Sequence, residues 1–346
     1  MSDFDIKRVV GYILTVFVFS SVFFYLLVIF WPQPKHIDPV KVVIEKGASL
    51  NDIASLLSLD GIIGGPEPFV LATRMMGYEK AIKAGTFYLH DAASNHRIIR
   101  QLVEGTPVYH RVTIPEGSSL VEIAAIFESK LGLNKESFLE ICRTPELVKQ
   151  LKVPGPTLEG YLFPETYFFT EDLSPEQIIE LMVDQYREIV TEELLMRADK
   201  LNLSEKEVVT LASIIEGEAK LDDERLLISA VYHNRLKKGM KLQADPTLQY
   251  IHSDGPKRLS NEDKKIDSPY NTYLYAGLPP GPINCPGEAS LRAAVNPATV
   301  DYLFFVAKGD DSHVFSRTEK EHLKAKREFD KIRRQVRQNQ LKRDAG

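Results

Sequence analysis

The sequence predicts an α+β protein carried on a single apolar N-terminal helix. Three observations predict it: an uncharged run from Val9 to Trp31, a strand–turn–helix text that occurs twice, and beyond it capped helical stretches alternating with Pro/Gly-rich loops. With 346 residues, 26% of them charged, the chain is long enough for two or three folded domains. Its net charge of −5 argues against a general nucleic-acid binder, although the C-terminal stretch is locally basic.

Residues 1–8 form a short N-terminus in which Lys7 and Arg8 precede the apolar run. Residues 9–31 are long enough to cross a bilayer and run directly into Trp31, Pro32 and Pro34 without a small-x-small cleavage site. The expectation is an uncleaved, single-pass anchor in a bacterial inner (plasma) membrane. Its N-terminus would be cytoplasmic and the bulk of the chain would lie outside the cytoplasm. Cys142 and Cys285 are the two cysteines of this exported mass, so its stability is expected to come from an apolar core rather than from disulfides.

Residues 32–40 read as a linker containing prolines. After it V-V-I-E-K-G-A-S-L-N-D-I-A-S-L-L, Val42 to Leu57, aligns without gaps with V-T-I-P-E-G-S-S-L-V-E-I-A-A-I-F, Val112 to Phe127. Each copy has an alternating strand, a glycine turn, a serine able to cap and an amphipathic helix. Gly85 to Leu89 reads as a return strand and Asn95 to Val103 as a second helix. Residues 41–108 so arranged resemble a LysM-like module, a small fold associated with peptidoglycan; a generic α+β subdomain would give the same pattern. Residues 109–346 are left for one larger mixed domain.

Lys135 to Arg143 is helical text, and Thr144-Pro145 starts a second short helix. Thr157 to Phe169, T-L-E-G-Y-L-F-P-E-T-Y-F-F, is dense in aromatics and holds Glu159, Tyr161 and Glu165. It suits either a sugar-stacking groove or an aromatic core. Ser204 with Glu207 is a capping box for a helix whose Val208, Leu211, Ala212 and Ile215 recur at helical spacing. Glu216 follows Ile215 and precedes Gly217, the residue type that lets a helix stop. Apolar neighbours and the negative helix end both disfavour its ionised form, a setting that suits a general acid. A Glu that merely emerges into water is the plain alternative.

Asp222-Asp223 are expected to cap a helix from Glu224 to Lys238, closing a helical hairpin. Beyond it, polar residues concentrate in text that reads as rigid loops: Gln243, Asp245 and Thr247 in Leu242 to Tyr250, then Tyr270, Asn271 and Tyr273, then G-L-P-P-G-P-I-N-C-P-G from Gly277 to Gly287. They are candidates for a polar, aromatic-lined cleft.

E-G-Y-L-F-P-E-T-Y, A-S-I-I-E-G-E, L-Q-A-D-P-T, Y-N-T-Y and G-L-P-P-G-P-I occur in this order, and with the anchor and the repeat they make the chain resemble the YceG-like endolytic murein transglycosylases. The resemblance implies a lytic transglycosylase that needs no cofactor, with Glu216 as catalytic acid/base on the β-1,4 bond between N-acetylmuramic acid and N-acetylglucosamine. It implies 1,6-anhydro ends, termination of nascent strands and a place beside peptidoglycan synthases or division proteins. Glu218 would point about 200° away from Glu216 on a regular helix, so it is assigned to positioning rather than to a hydrolase pair.

A hydrolytic muramidase and a non-catalytic wall-binding scaffold stay open as alternatives. The histidines, His313 in S-H-V-F-S among them, show no metal-ligand spacing, and the chain has neither G-x-S-x-G nor a Walker loop. Ala325, Phe329, Ile332 and Val336 give the tail the spacing of a solvated amphipathic helix.

Overall fold

Serine side chains begin the helices on which the fold depends. Ser49, Ser119, Ser174 and Ser204 each accept from the backbone N–H three residues on, and Asp52, Glu122, Gln177 and Glu207 bond back to the serine N–H. Each reciprocal pair satisfies two N–H groups that a helix start leaves orphaned, and the cap alone contributes about 1 kcal/mol.

This computed structural model describes residues 3–34, 39–45, 47–89, 94–105, 108–170, 173–252, 257, 259–329 and 331. It divides into two units, Met1–Arg111 with Phe168–Leu173, and Val112–Tyr167 with Ser174–Gly346.

The first unit holds α1 (Asp3–Ile29), β1 (Val40–Ile44), α2 (Leu50–Leu59), α3 (Pro66–Met75), β2 (Gly85–Leu89) and α4 (Asn95–Glu104). β1 and β2 pair antiparallel with Val42 opposite Phe87. Val42, Ile44, Ile53, Leu57, Phe69 and Ile98 are buried together in the core that includes this strand pair. Each such side chain contributes about 1.5–3 kcal/mol relative to exposure. α1 includes Val9–Ile29, the one helix among the described residues long and apolar enough to cross a membrane. Its side chains stand bare from Val9 to Leu27, whereas Val28 and Ile29 are buried. There Asn95 donates to the Val28 carbonyl at 3.1 Å, and Gln33 donates to Asn95 at 2.8 Å while accepting from the Gly64 N–H at 2.7 Å. The residues immediately after α1 are thus fastened down.

β3 (His110–Thr113) pairs with β4 (Thr166–Phe169). The second unit holds α5 (Leu120–Leu131), α6 (Lys135–Arg143), α7 (Pro145–Gln150), α8 (Pro175–Ile189), α9 (Glu192–Lys200), α10 (Glu205–Glu218) and α11 (Asp222–Lys237). It ends with α12 (Asp245–Ile251), α13 (Glu288–Ala294) and the hairpin of β5 (Phe304–Ala307) with β6 (His313–Ser316). α10 is its central helix, with every residue from Val208 to Ile215 buried, and α11 and α13 pack on it.

Three local expectations change. α10 passes through Gly217 and ends at Glu218, because Gly217 serves close approach rather than helix termination: a Cβ there would lie 2.6 Å from Pro246 Cβ. α11 begins at Asp222, so Asp222 and Asp223 occupy its first turn, where their charge suits the dipole, instead of capping it. Asp245 to Ile251, read as loop, is α12, with Pro246 in its first turn. Residues 319–329 are helical, and Ile332 and Val336 of the tail pattern lie outside the described residues.

Candidate functional site

Glu216 leaves the last turn of α10 with its side chain 7% exposed. Both carboxylate oxygens are engaged. Arg225, on α11, donates from Nη1 to Oε1 at 3.1 Å, and the Gly287 N–H, at the start of α13, donates to Oε2 at 3.0 Å. The hairpin of α10 and α11 brings the guanidinium to the carboxylate, and Arg225 is itself held by Ser290 at 2.5 Å and Asp222 at 3.0 Å.

The Pro/Gly-rich loop before α13 explains how Gly287 reaches Glu216. Ile283 donates its N–H to Ser213 Oγ at 3.1 Å, and Asn284 Nδ2 donates to the Ser213 carbonyl at 3.0 Å, which lays the loop along α10. The other side of the loop is stitched to the turn after β3. Gly117 donates to the Cys285 carbonyl and Cys285 to the Ser118 carbonyl, each at 2.9 Å. Gly117 has φ +75°, a conformation costly for residues with a Cβ, and a Cβ there would lie 3.5 Å from Glu216 Cγ. The floor of the site is thus assembled from α10, α11, the Ile283–Gly287 loop and the Glu116–Ser118 turn.

Glu218 faces elsewhere. It accepts from Tyr232 Oη at 3.0 Å, and burial pushes its carboxyl up to about 7, against the Tyr232 bond. Asp245 lies close enough to raise it further and in turn accepts from Tyr273 Oη at 2.5 Å. Lys264 Nζ sits 4.6 Å from the Tyr273 ring centre. This second polar cluster lies on the α12 side of α10.

The remaining expected site residues separate into frame and surface. Tyr161, Thr247 and Asn271 are 0% exposed and cannot meet a ligand directly. Tyr161 stacks edge-on against Tyr186 with ring centres 5.3 Å apart, so here the aromatic run is core. Thr247 bonds Thr272 at 2.9 Å, and Asn271 donates to the Ile266 carbonyl at 2.8 Å; both organise loops from within. Glu159, 6% exposed, accepts from the Leu120 N–H at 3.0 Å, and burial raises it to about 8 against that bond and Tyr250. Glu165 is exposed and accepts from the adjacent Thr166 N–H at 2.7 Å. Gln243 is exposed with φ 49°, and Tyr270 is half-buried against Tyr250 at 4.9 Å between ring centres. His313 is paired with Glu224 at 2.6 Å.

Sequence reasoning missed Arg225, the Gly287 N–H and Glu116. Arg225 had a usable signal, since a cation three residues into the helix after an acidic turn can fold back onto the end of the preceding helix. The arrangement as a whole offers an oriented carboxyl, enclosed and flanked by a cation, of the kind proton transfer requires.

A family model described as the YceG-like family matches residues 42–328. An endolytic murein transglycosylase of Bacillus subtilis strain 168 is 36% identical over 306 residues, covering 84% of each chain. A protein of the same name from Streptococcus pneumoniae serotype 2 is 29% identical over 307 residues; the match covers 80% of this chain and 55% of that one. The 2.6 Å crystal structure of a yceG-like protein from Listeria monocytogenes superposes with a TM-score of 0.58 at 34% identity, covering 83% of this chain and 99% of that one.

Proposed function

The chain belongs to the YceG-like family, and from that membership and the geometry of Glu216 we propose that it is a lytic transglycosylase of peptidoglycan with Glu216 as its acid/base. The observation that carries this reading is the Glu216 carboxyl itself, oriented by Arg225 on one oxygen and the Gly287 N–H on the other. Holding a proton-transfer group in one orientation converts a search into a fixed approach, which is where such groups gain most of their rate.

In the proposed reaction Glu216 protonates the glycosidic oxygen between N-acetylmuramic acid and N-acetylglucosamine. It then takes the proton of the muramic C6 hydroxyl, whose oxygen closes on C1 to give a 1,6-anhydro end. The Arg225 guanidinium compensates the carboxylate that forms between the two steps. A hydrolase would need a second carboxyl for water or covalent attack. Glu218, bonded to Tyr232 and lying toward Asp245, does not have that placement.

The same reading takes α1 as a single-pass anchor with the N-terminus cytoplasmic, residues 41–108 as a LysM-like module and residues 109–346 as the transglycosylase domain. Cleavage near the membrane would terminate nascent strands beside the synthases that extend them.

The test is to incubate the detergent-solubilised chain with purified murein and examine glycan ends by mass spectrometry. Anhydro ends are expected. Reducing ends would replace this reading with a muramidase, and unchanged murein with a binding scaffold. Glu216→Gln should lower turnover by roughly 10²–10⁴-fold while murein is still bound. Anhydro ends formed at an undiminished rate by that variant would remove Glu216 from the role.

A further inference from the structure

Arg225 and the Gly287 N–H both bond the Glu216 carboxylate, yet the first half of the proposed reaction delivers a proton from it. A second carboxyl stands at the same place. Glu116, on the turn between β3 and α5, lies against Gly287 so closely that a methyl group on that glycine would overlap its carboxylate. Gly287 therefore has one carboxyl on its N–H and another against its Cα.

The placement is built into the backbone. The bonds between the Gly117–Ser118 turn and Cys285 fix the turn that carries Glu116, and a Cβ on Gly117 in that turn would meet the Glu216 side chain at 3.5 Å. The charges facing Glu116 are Glu216, Arg225, Asp222 and Glu165. Among these Arg225 is one cation against several carboxylates. Asp222, 82% exposed along its side chain, bonds Arg225 Nε at 3.0 Å. Arg225 bonds Glu216 directly, and its charge reaches Glu116 as well.

We propose that Glu116 is a positioning carboxyl whose charge, set across Gly287 from Glu216, keeps one proton on the carboxyl pair against the pull of Arg225. This rests on the reading of Glu216 as acid/base. Burial pushes the Glu116 carboxyl above its ordinary range, the Glu216 charge adds to this, and Arg225 opposes it. The proton leaves the pair for the glycosidic oxygen, and the proton of the C6 hydroxyl returns to the pair as its oxygen bonds C1. The pair ends each turnover in the state in which it began, without a co-reactant.

The test is the pH profile of anhydro-end formation by the full chain in detergent, comparing wild type with Glu116→Gln, Glu116→Asp and Glu216→Gln. Removing the Glu116 charge makes the remaining proton easier to lose, so the alkaline limb of Glu116→Gln should move down by about one pH unit. One unit above the wild-type limb this is roughly a tenfold loss of turnover, and the loss should be smaller below it. Added salt should shrink the shift, because Glu116 is exposed, and Glu116→Asp should restore most of it. An unshifted limb, or a loss uniform in pH accompanied by a lower unfolding temperature, would overturn the proposal. Should Glu216→Gln be inactive while the Glu116→Gln limb stays in place, only the role of Glu116 falls. An active Glu216→Gln overturns both.

Discussion

In both copies of the repeat a short strand runs into a glycine with positive φ, 88° at Gly47 and 75° at Gly117, and a helix capped by serine and a returning carboxylate follows. The turns differ in their surroundings. A Cβ at Gly47 would meet nothing within 4 Å, whereas one at Gly117 would meet Glu216 Cγ at 3.5 Å, and its neighbour Glu116 lies against Gly287. The second helix, α5, also takes Glu159 on its first N–H. One local unit thus serves as plain scaffold in the first unit of the chain and as the wall of the candidate site in the second. The unit supplies a rigid turn; partners from distant sequence supply the chemistry.

The comparison can be broken most forcefully at the cation facing the second turn. Arg225→Met would leave the enclosed Glu216 without its countercharge and should cost about 3–5 kcal/mol, seen as a lower urea midpoint for the second unit, together with most of the turnover. Unchanged stability would mean that the ion pair is not what holds this wall.

Glu159 sharpens the comparison through pH. Its folded value of about 8 exceeds the ordinary 4.5, so the stability it contributes is complete below 4.5 and is lost as pH rises through about 8. Glu159→Gln keeps the acceptor for the Leu120 N–H and should gain on the order of 2–4 kcal/mol relative to wild type by pH 9. Unfolding midpoints against pH check this; parallel curves for the two proteins would refute it.

The smallest effect is the most direct comparison of the copies. Gly47→Ala and Gly117→Ala should each cost roughly 1–2 kcal/mol from backbone strain, and only Gly117→Ala should also slow anhydro-end formation. Equal slowing by both would erase the distinction between the turns.

What was legible in the sequence is what acts over a few residues. Ser49, Ser119 and Ser204 announced their helices because a cap and its returning carboxylate are three residues apart. The apolar run of α1 was visible because a bilayer-length stretch leaves no room for a charge. Of the proposed site, Glu216 alone could be singled out from the sequence, through its position at the end of a buried helix. Its neighbours depend on how distant segments cross: Gly287 arrives through a loop bonded to Ser213, and Glu116 through a turn bonded to Cys285. Tyr161 could not be sorted from composition, since an aromatic run has the same letters whether it faces a sugar or Tyr186. Gly217 was misread for a similar reason. The residue that requires its missing side chain, Pro246, is on another helix.

Cys285, which holds the Glu116 turn by two backbone bonds, is a free and fully buried thiol, as is Cys142 on α6. Burial pushes both thiols far up, so the reactive thiolate is scarce while the fold is closed. The two cysteines are in effect a built-in clock. The rate at which Cys285 accepts a thiol label counts how often the wall beside Glu216 opens, and Cys142 times the scaffold behind it.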